Sequence, residues 1–368
     1  MDRALITTLF NLVLKIMTNT TNKSAAAHNL VGKELSDGWL VVEKKTKKDT
    51  DTGSFFSVCY IAERGSDKCF VKAFDFSRFA NDGDDLIESL AKMTSAYKYE
   101  RDLSLLCKSH HTSKVALAIG SGQINGPTIE DTVPYLIFDL ADGDIRHKIS
   151  FSEDLDFVYK FHSLHDIAVA ISQLHNAGVS HQDIKPSNVL DFSGDYKLGD
   201  IGRSLTQEMR GPHSSLAFSG DRHYCPPEIM YGYYEKDWKK RNYATDCYLF
   251  GNLVVFYFSG LNMSALLNNY LINDAHWRKG ITYEEAKPYL IAAFDNAVEE
   301  FKQNIADDEF ASELSNIVRQ LCYPIPDQRG YPKNVAQKYA DNYSMHPYAT
   351  KFDVLEQKAR LKFKKKWQ

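Results

Sequence analysis

Residues 179–202 read VSHQDIKPSNVLDFSGDYKLGDIG, and this stretch decides the fold. Asp183, Lys185 and Asn188 follow one another closely, and Asp200-Ile201-Gly202 returns after a gap. The gap reads as a hairpin. A carboxylate that can orient a hydroxyl thus stands beside an ammonium and an amide. A second carboxylate comes back on the far side of the hairpin. Hard oxygens, a cation and an orienting acid together suit metal-assisted phosphoryl transfer. Asp, Asn, Pro and Gly also favour turns, so two unrelated turn clusters are the competing reading. The joint spacing disfavours it.

The stretch resembles the eukaryotic-like protein kinase family, whose catalytic loop reads His-Arg-Asp-x-Lys-Pro-x-Asn and whose metal loop reads Asp-Phe-Gly. Here these are His181-Gln182-Asp183-Ile184-Lys185-Pro186-Ser187-Asn188 and Asp200-Ile201-Gly202. The resemblance implies an α+β, two-lobed protein kinase-like fold, with a small β-rich N-lobe and a larger helical C-lobe. It implies ATP and Mg as cofactors, with Asp183 and Lys185 catalytic and Asn188 and Asp200 on the metal. Lysine at 185 resembles the Ser/Thr type. The departures described below make it a divergent member, and the expectation is a bacterial one.

Composition agrees with a globular enzyme. The chain has 368 residues, 43% hydrophobic and 25% charged, with a net charge of −4 and a pI near 6.3. Such a balance calls for no nucleic-acid partner. Six cysteines lie scattered without a Cys-x-x-Cys pair, as in a reduced, cytoplasmic protein. No stretch reaches the apolar length of a membrane span. The ends differ from the middle. Residues 4–17 are apolar, interrupted by Asn11 and Lys15, and read as a docked or frayed helix. A poor signal peptide and a start at Met17 are the alternatives. Residues 358–368 carry six positive charges and no acid, which is a solvated helix end or a docking segment for an acidic surface, lipid or nucleic acid.

The expected organisation is an extension over 1–34, an N-lobe over 35–141, a C-lobe over 142–345 and a basic tail over 346–368. Strands are expected over 38–43, 57–62, 68–74, 115–120 and 135–140, from their β-branched and aromatic content. Aligned on Val58, the family's glycine-rich loop becomes Asp51-Thr52-Gly53-Ser54-Phe55-Phe56-Ser57-Val58, with one glycine, Gly53, and the tip aromatic Phe55. Lys72 matches the family lysine on the α- and β-phosphates. Phe70 replaces the small residue two positions before it, and should crowd the adenine. Glu100 is the expected ion-pair partner of Lys72, with Glu88 the runner-up. By the same resemblance Phe138 guards the pocket, the backbone of Asp139 and Ala141 meets the adenine edge, Asp144 meets the ribose, and Leu190 closes the floor opposite Val58.

In the larger lobe, residues 163–178 show helical spacing and end on Gly178. His181 is read as a packing and hydrogen-bonding residue. Gln182 replaces the family arginine that pairs with an activation-segment phosphate, so activity is not expected to rest on that switch. Ser204, Thr206, Ser214, Ser215 and Ser219 are candidate phosphosites, and self-phosphorylation is a candidate reaction. The segment ends in residues 220–228, GDRHYCPPE, where Asp221 replaces a threonine and is expected at Lys185. Glu228 is expected to pair with Arg329, and Asp246 to steady the catalytic loop. The fold should be complete by about Tyr343. Three function classes stay open: a Ser/Thr protein kinase acting on a protein substrate, a nucleotide-binding pseudokinase scaffold, and a small-molecule phosphotransferase.

Overall fold

The computed structural model describes residues 26–45, 57–79, 85–149, 155–337 and 341–366. Gly53 and Phe55, the expected loop over the phosphates, lie outside these residues, as does the apolar stretch 4–17. The chain divides into two compact units. The first takes the described residues up to Tyr97 together with 119–138; the second takes 98–118 and everything from Asp139 on.

The first unit is built on a sheet of β1 (Leu40–Lys44), β2 (Ser57–Arg64), β3 (Asp67–Phe74), β4 (Gly120–Ile124) and β5 (Val133–Asp139), in the order β1-β2-β3-β5-β4. β2 and β3 form a hairpin in which Gly65 takes φ +63. Alternation sorts β3 cleanly: Cys69, Val71 and Ala73 are buried, while Phe70 and Lys72 point to the other face. The N-terminal segment covers the buried face. Ala27, Leu30, Leu35 and Trp39 join its core, and Tyr60 donates to the Ala27 carbonyl at 2.6 Å. His28 holds the segment down, with Nε2 2.8 Å from buried Asp75 and Nδ1 3.1 Å from Lys44. Residues 26–34, expected to belong to an extension, are therefore part of this core.

A helix, α1 (Leu86–Ser109), leaves the first unit at Tyr97 and enters the second, where Leu103 and Cys107 are fully buried. The expected strand over 115–120 is not formed as such. Val115 instead bridges Leu198 in parallel, Ala116 donates to the Leu198 carbonyl at 2.9 Å, and the strand begins only at Gly120. Those apolar residues satisfy their backbone within the second unit before the chain returns to the first.

The second unit centres on α2 (Leu155–Asn176) and α3 (Trp238–Ser259), followed by α4 (Met263–Tyr270), α5 (Tyr283–Gln303) and α6 (Asp308–Leu321). Asp237 caps α3 by accepting from Lys240 N at 2.8 Å, and Gly260 ends it at φ +73. No single described helix is long and apolar enough to cross a membrane. The apolar run in α3 is instead core, from Asn242 through Val255. The basic end corrects a second expectation. His346–Lys366 form a helix, α7, with Tyr348, Phe352, Leu355 and Ala359 buried against the second unit's core. His165 reaches the Ala349 carbonyl at 2.9 Å and His162 reaches Glu356 at 3.0 Å. The charges of this segment mask an apolar stripe at helical spacing, so the fold does not end at Tyr343.

Candidate active site

α2 stops at Asn176 because Gly178 turns the chain at φ +71. The next two residues, β7 (Val179–Ser180), pair with β10 (Leu205–Thr206). The loop that follows is held from below by Asp246 on α3. This fully buried carboxylate accepts from His181 N at 2.9 Å and Gln182 N at 2.8 Å, and meets His175 Nε2 at 2.9 Å. The two backbone bonds hold Gln182 at φ +67, a conformation that costs a non-glycine residue about 1–3 kcal/mol. The strain turns the chain so that Asp183 emerges in the right place.

Asp183 is 3% exposed and fully engaged. Its Oδ2 lies 3.1 Å from Lys185 Nζ and accepts from Asn188 Nδ2 at 3.2 Å; its Oδ1 accepts from Asp221 N at 3.1 Å. Asn188 Nδ2 also donates to the Asp183 carbonyl at 2.7 Å, which commits the amide nitrogen and turns Oδ1 the other way. His181 acts as expected, as a bracket. Asp183 N donates to its Nδ1 at 3.2 Å, so Nε2 carries the proton and donates to the Gly199 carbonyl at 3.0 Å.

That last bond ties the loop to the hairpin of β8 (Val189–Phe192) and β9 (Asp195–Leu198). Ser193 and Gly194 both have positive φ, the two-residue turn that matches strand twist. Gly199 N donates to the Asn188 carbonyl at 2.8 Å, and a Cβ at Gly199 would stand 2.7 Å from Leu190 Cδ1. Glycine therefore lets the strand lie directly on Asn188 and Leu190. Asp200 follows in the left-handed region at φ +57. Asp200 is thus the residue after the one whose N–H is bonded to the Asn188 carbonyl.

The protein kinase domain family model matches residues 98–339. The chain belongs to the protein kinase family. The match includes Asp183, Lys185, Asn188 and Asp200 and the whole activation segment, and begins beyond Val58 and Lys72. Among curated relatives, the chain is 30% identical to the serine/threonine-protein kinase AtPK1/AtPK6 of Arabidopsis thaliana, over 46% of this chain and 38% of that one. It is 28% identical to the mitogen-activated protein kinase mpkC of Aspergillus niger, over 46% and 39%. It is 30% identical to the calcium/calmodulin-dependent protein kinase type II alpha chain of Drosophila melanogaster, over 36% and 24%. The chain spans under two fifths of the length of these relatives.

The kinase activation segment of this chain is anchored at several points that its sequence does not announce. Tyr99 on α1 donates to the Ser204 carbonyl at 2.7 Å, and Gly211 lies against its ring, where a Cβ would come within 2.6 Å. Arg203 donates to the Ser219 carbonyl, and Ser219 Oγ returns a bond to the Arg203 carbonyl at 2.7 Å. Asn252 donates to the Tyr224 carbonyl at 2.9 Å. Ser204, Thr206 and Ser219 are buried, which removes three of the five candidate phosphosites from easy modification. Gln182 is also buried and turned away, onto Ser180 Oγ at 2.8 Å and the Asn242 carbonyl at 3.2 Å. The expected pair at the segment's end is present: Arg329 meets Glu228 through two bonds of 2.7 and 2.5 Å, and both are buried.

The first unit arranges its expected site residues differently. Directly opposed residues in an antiparallel pair share a face, and the register sets Lys72 opposite Cys59 and Phe70 opposite Ile61. Val58 lies opposite Ala73 and is buried with it in the core. It is therefore not on the face of Lys72, as the alignment expected. A continuous register allows no bulge to restore the parity, and a shift of one residue flips every side chain. Phe70 does meet Phe138, with ring centroids 6.4 Å apart. On α1, Glu100 is buried, whereas Glu88 is exposed and pairs with Lys92 at 3.2 Å. Asp139 closes β5, Ala141 follows it in the connection to a short strand at Gly143–Asp144, and Asp144 is held by Arg146 through two bonds of 2.8 Å.

Proposed function

We propose that this protein kinase transfers the γ-phosphoryl of ATP to a serine or threonine hydroxyl of a protein. One observation carries the reading: the Asp183 carboxylate is fixed within 3.2 Å of both Lys185 Nζ and Asn188 Nδ2, on a loop that Asp246 holds in a strained backbone. Such rigidity suits a reaction whose catalysis is positioning and charge stabilisation. Asp183 orients the acceptor hydroxyl and takes its proton late. Lys185 neutralises charge on the moving phosphoryl.

The donor set also suits a magnesium ion. Asn188 spends its Nδ2 on Asp183 and so presents Oδ1, and Asp200 adds a carboxylate, both hard oxygens. No group of three or more His, Cys, Asp or Glu suited to a metal occurs among the described residues, so nucleotide phosphates would complete the coordination. When bound, the ion screens the phosphate charge. The family pattern assigns Lys72 to the phosphates, with Glu100 as its partner and Leu190 beneath the base.

The test is transfer of label from ATP with magnesium to the protein itself and to a general acceptor protein. Asp183→Asn should lower the rate by roughly 10²–10⁴ with unchanged melting. Nucleotide binding without transfer by the wild type would favour the scaffold reading, which the Lys185–Asp221 contact of 3.7 Å motivates.

A further inference from the structure

Asp221 stands where the family has a neutral threonine, and its surroundings differ from those of a spectator. Its N–H belongs to the site, donating to Asp183 Oδ1 at 3.1 Å. Its carboxylate lies 3.7 Å from Lys185 Nζ, which is itself 3.1 Å from Asp183 Oδ2. The same carboxylate caps the turn Arg222–Tyr224, accepting from His223 N at 3.0 Å and meeting His223 Nδ1 at 2.9 Å. The side chains of Asp183, Lys185 and Asp221 are 3%, 6% and 19% exposed.

The charge count follows directly. With threonine, one carboxylate would face one ammonium. With Asp221, two carboxylates share that ammonium, and the cluster keeps a charge of about −1 that solvent screens poorly. Burial by itself would raise the Asp221 carboxyl, but the His223 N–H and ring and the Lys185 ammonium outweigh it, so the group sits below the ordinary carboxylate range. Of the arginines around it, Arg146 is forked onto Asp144, Arg203 is on the Ser219 carbonyl, and Arg222, next in the chain, is exposed to solvent. Tyr224 senses the imbalance. Burial first, then Asp221, and with them Asp183 against Arg146, push its phenol up to about 12.

An acceptor that displaces water here must leave the surplus carboxylate stranded or bring a cation to it. Stranding a buried charge is costly, and complementary charge relieves that cost. We infer that Asp221 is a specificity-determining residue, which selects acceptor segments carrying lysine or arginine next to the phosphorylated hydroxyl. This deepens the phosphotransfer reading above and rests on it. A cation from the acceptor satisfies Asp221 and releases Lys185 to the phosphoryl; a glutamate beside the hydroxyl adds a third negative charge.

The experiment uses the full chain, ATP and magnesium with three serine peptides flanked by arginine, alanine or glutamate, at pH 8. Wild type should favour the arginine peptide over the alanine one by about 10-fold in kcat/KM, and over the glutamate one by about 100-fold. Asp221→Asn keeps the turn cap and the N–H to Asp183, and should compress these ratios to within about 2-fold. Asp221→Thr should do the same. A preference retained in both variants, no preference in the wild type, or loss of all transfer in both variants at unchanged melting temperature would each overturn the assignment. No transfer by the wild type to any peptide, with ATP still bound, would overturn the phosphotransfer reading itself and this inference with it.

Discussion

Two buried ion clusters of the second unit use the same chemistry to opposite ends. Around Arg329 the account closes. One guanidinium meets one carboxylate in a fork, then fills its remaining donors on the carbonyls of Tyr323, Ala244 and Pro324, and lies 5.0 Å over the Tyr248 ring. Around Lys185 it stays open. One ammonium is divided between Asp183 and Asp221, at 3.1 and 3.7 Å, on a loop that contains Gln182 in the left-handed region. A satisfied cluster can only hold; an unsatisfied one has capacity left for a ligand. The comparison separates a pair whose donors and acceptors are all used within the fold from a cluster proposed to serve chemistry.

Breaking the closed cluster should cost most. Arg329→Met leaves Glu228 buried and alone, and should lower stability by about 3–5 kcal/mol, seen as a large fall in melting temperature, with activity lost only because the protein unfolds. Lys185→Met should do the reverse. Activity should drop by about 100-fold or more while melting falls less than in Arg329→Met, because Asp183 keeps its bonds from Asn188 and the Asp221 N–H, and Asp221 keeps those from His223. If Lys185→Met melts as low as Arg329→Met, the contrast between the clusters fails.

Between these lies Asp246→Asn, which keeps one acceptor for the strained backbone and loses the other. A cost of about 1–3 kcal/mol is expected, with kcat falling before the protein unfolds, because Asp183 loses its support. Gly211→Ala should cost a similar amount, through the clash with the Tyr99 ring, and loosen the activation segment as read by proteolysis.

The smallest effect belongs to α7. Lys362 meets Asp307 and Glu309 at 2.9 Å, in partly exposed pairs, and Lys362→Met should cost less than about 1 kcal/mol. These pairs set a pH dependence with a definite sign. Burial works to raise the Asp307 carboxyl, but Lys362 and the Phe310 N–H hold it below the ordinary range; Lys362 and Lys358 do the same for Glu309. Asp221 is also depressed. A depressed carboxyl stabilises the fold above its unfolded value near 4, and that stability goes as pH falls through the folded value. Melting temperature should therefore hold from pH 6 to about 4 and fall below it, more shallowly in Asp307→Asn.

Much of this was legible in the sequence because it depends on local chemistry. The run from His181 to Asn188, the hairpin before Asp200 and the glycine after α2 are short-range signals, and the expected partnership of Glu228 with Arg329 rests on two recognisable motifs. What was misread depends on pairing between distant segments. The face on which Val58 lies follows from hairpin register, which one residue reverses. The strand expected over 115–120 was lost to a bridge with Leu198. The clamp of Tyr99 on Ser204 and Gly211 joins residues about a hundred positions apart, and nothing in either segment marks it. The basic end looked solvated because lysines and arginines crowd its last eleven residues, although Tyr348, Phe352, Leu355 and Ala359 fall on one helical stripe.

By itself, then, the sequence nominated the groups proposed to do the chemistry: Asp183, Lys185, Asn188 and Asp200 stand out by residue type, by spacing and by resemblance to the family. Only the tertiary structure decided how each is held and shared. Hydrogen bonds and ion pairs act over about 3 Å, so their partners are set by which segments the packing brings together, and sequence distance carries no record of that. His181 on Gly199 and Tyr99 on Ser204 are such contacts, whereas Asp246 beneath the loop and Asp221 beside Lys185 were expected from the resemblance to the family. The charge left over at Asp221 becomes visible only once all three side chains are placed.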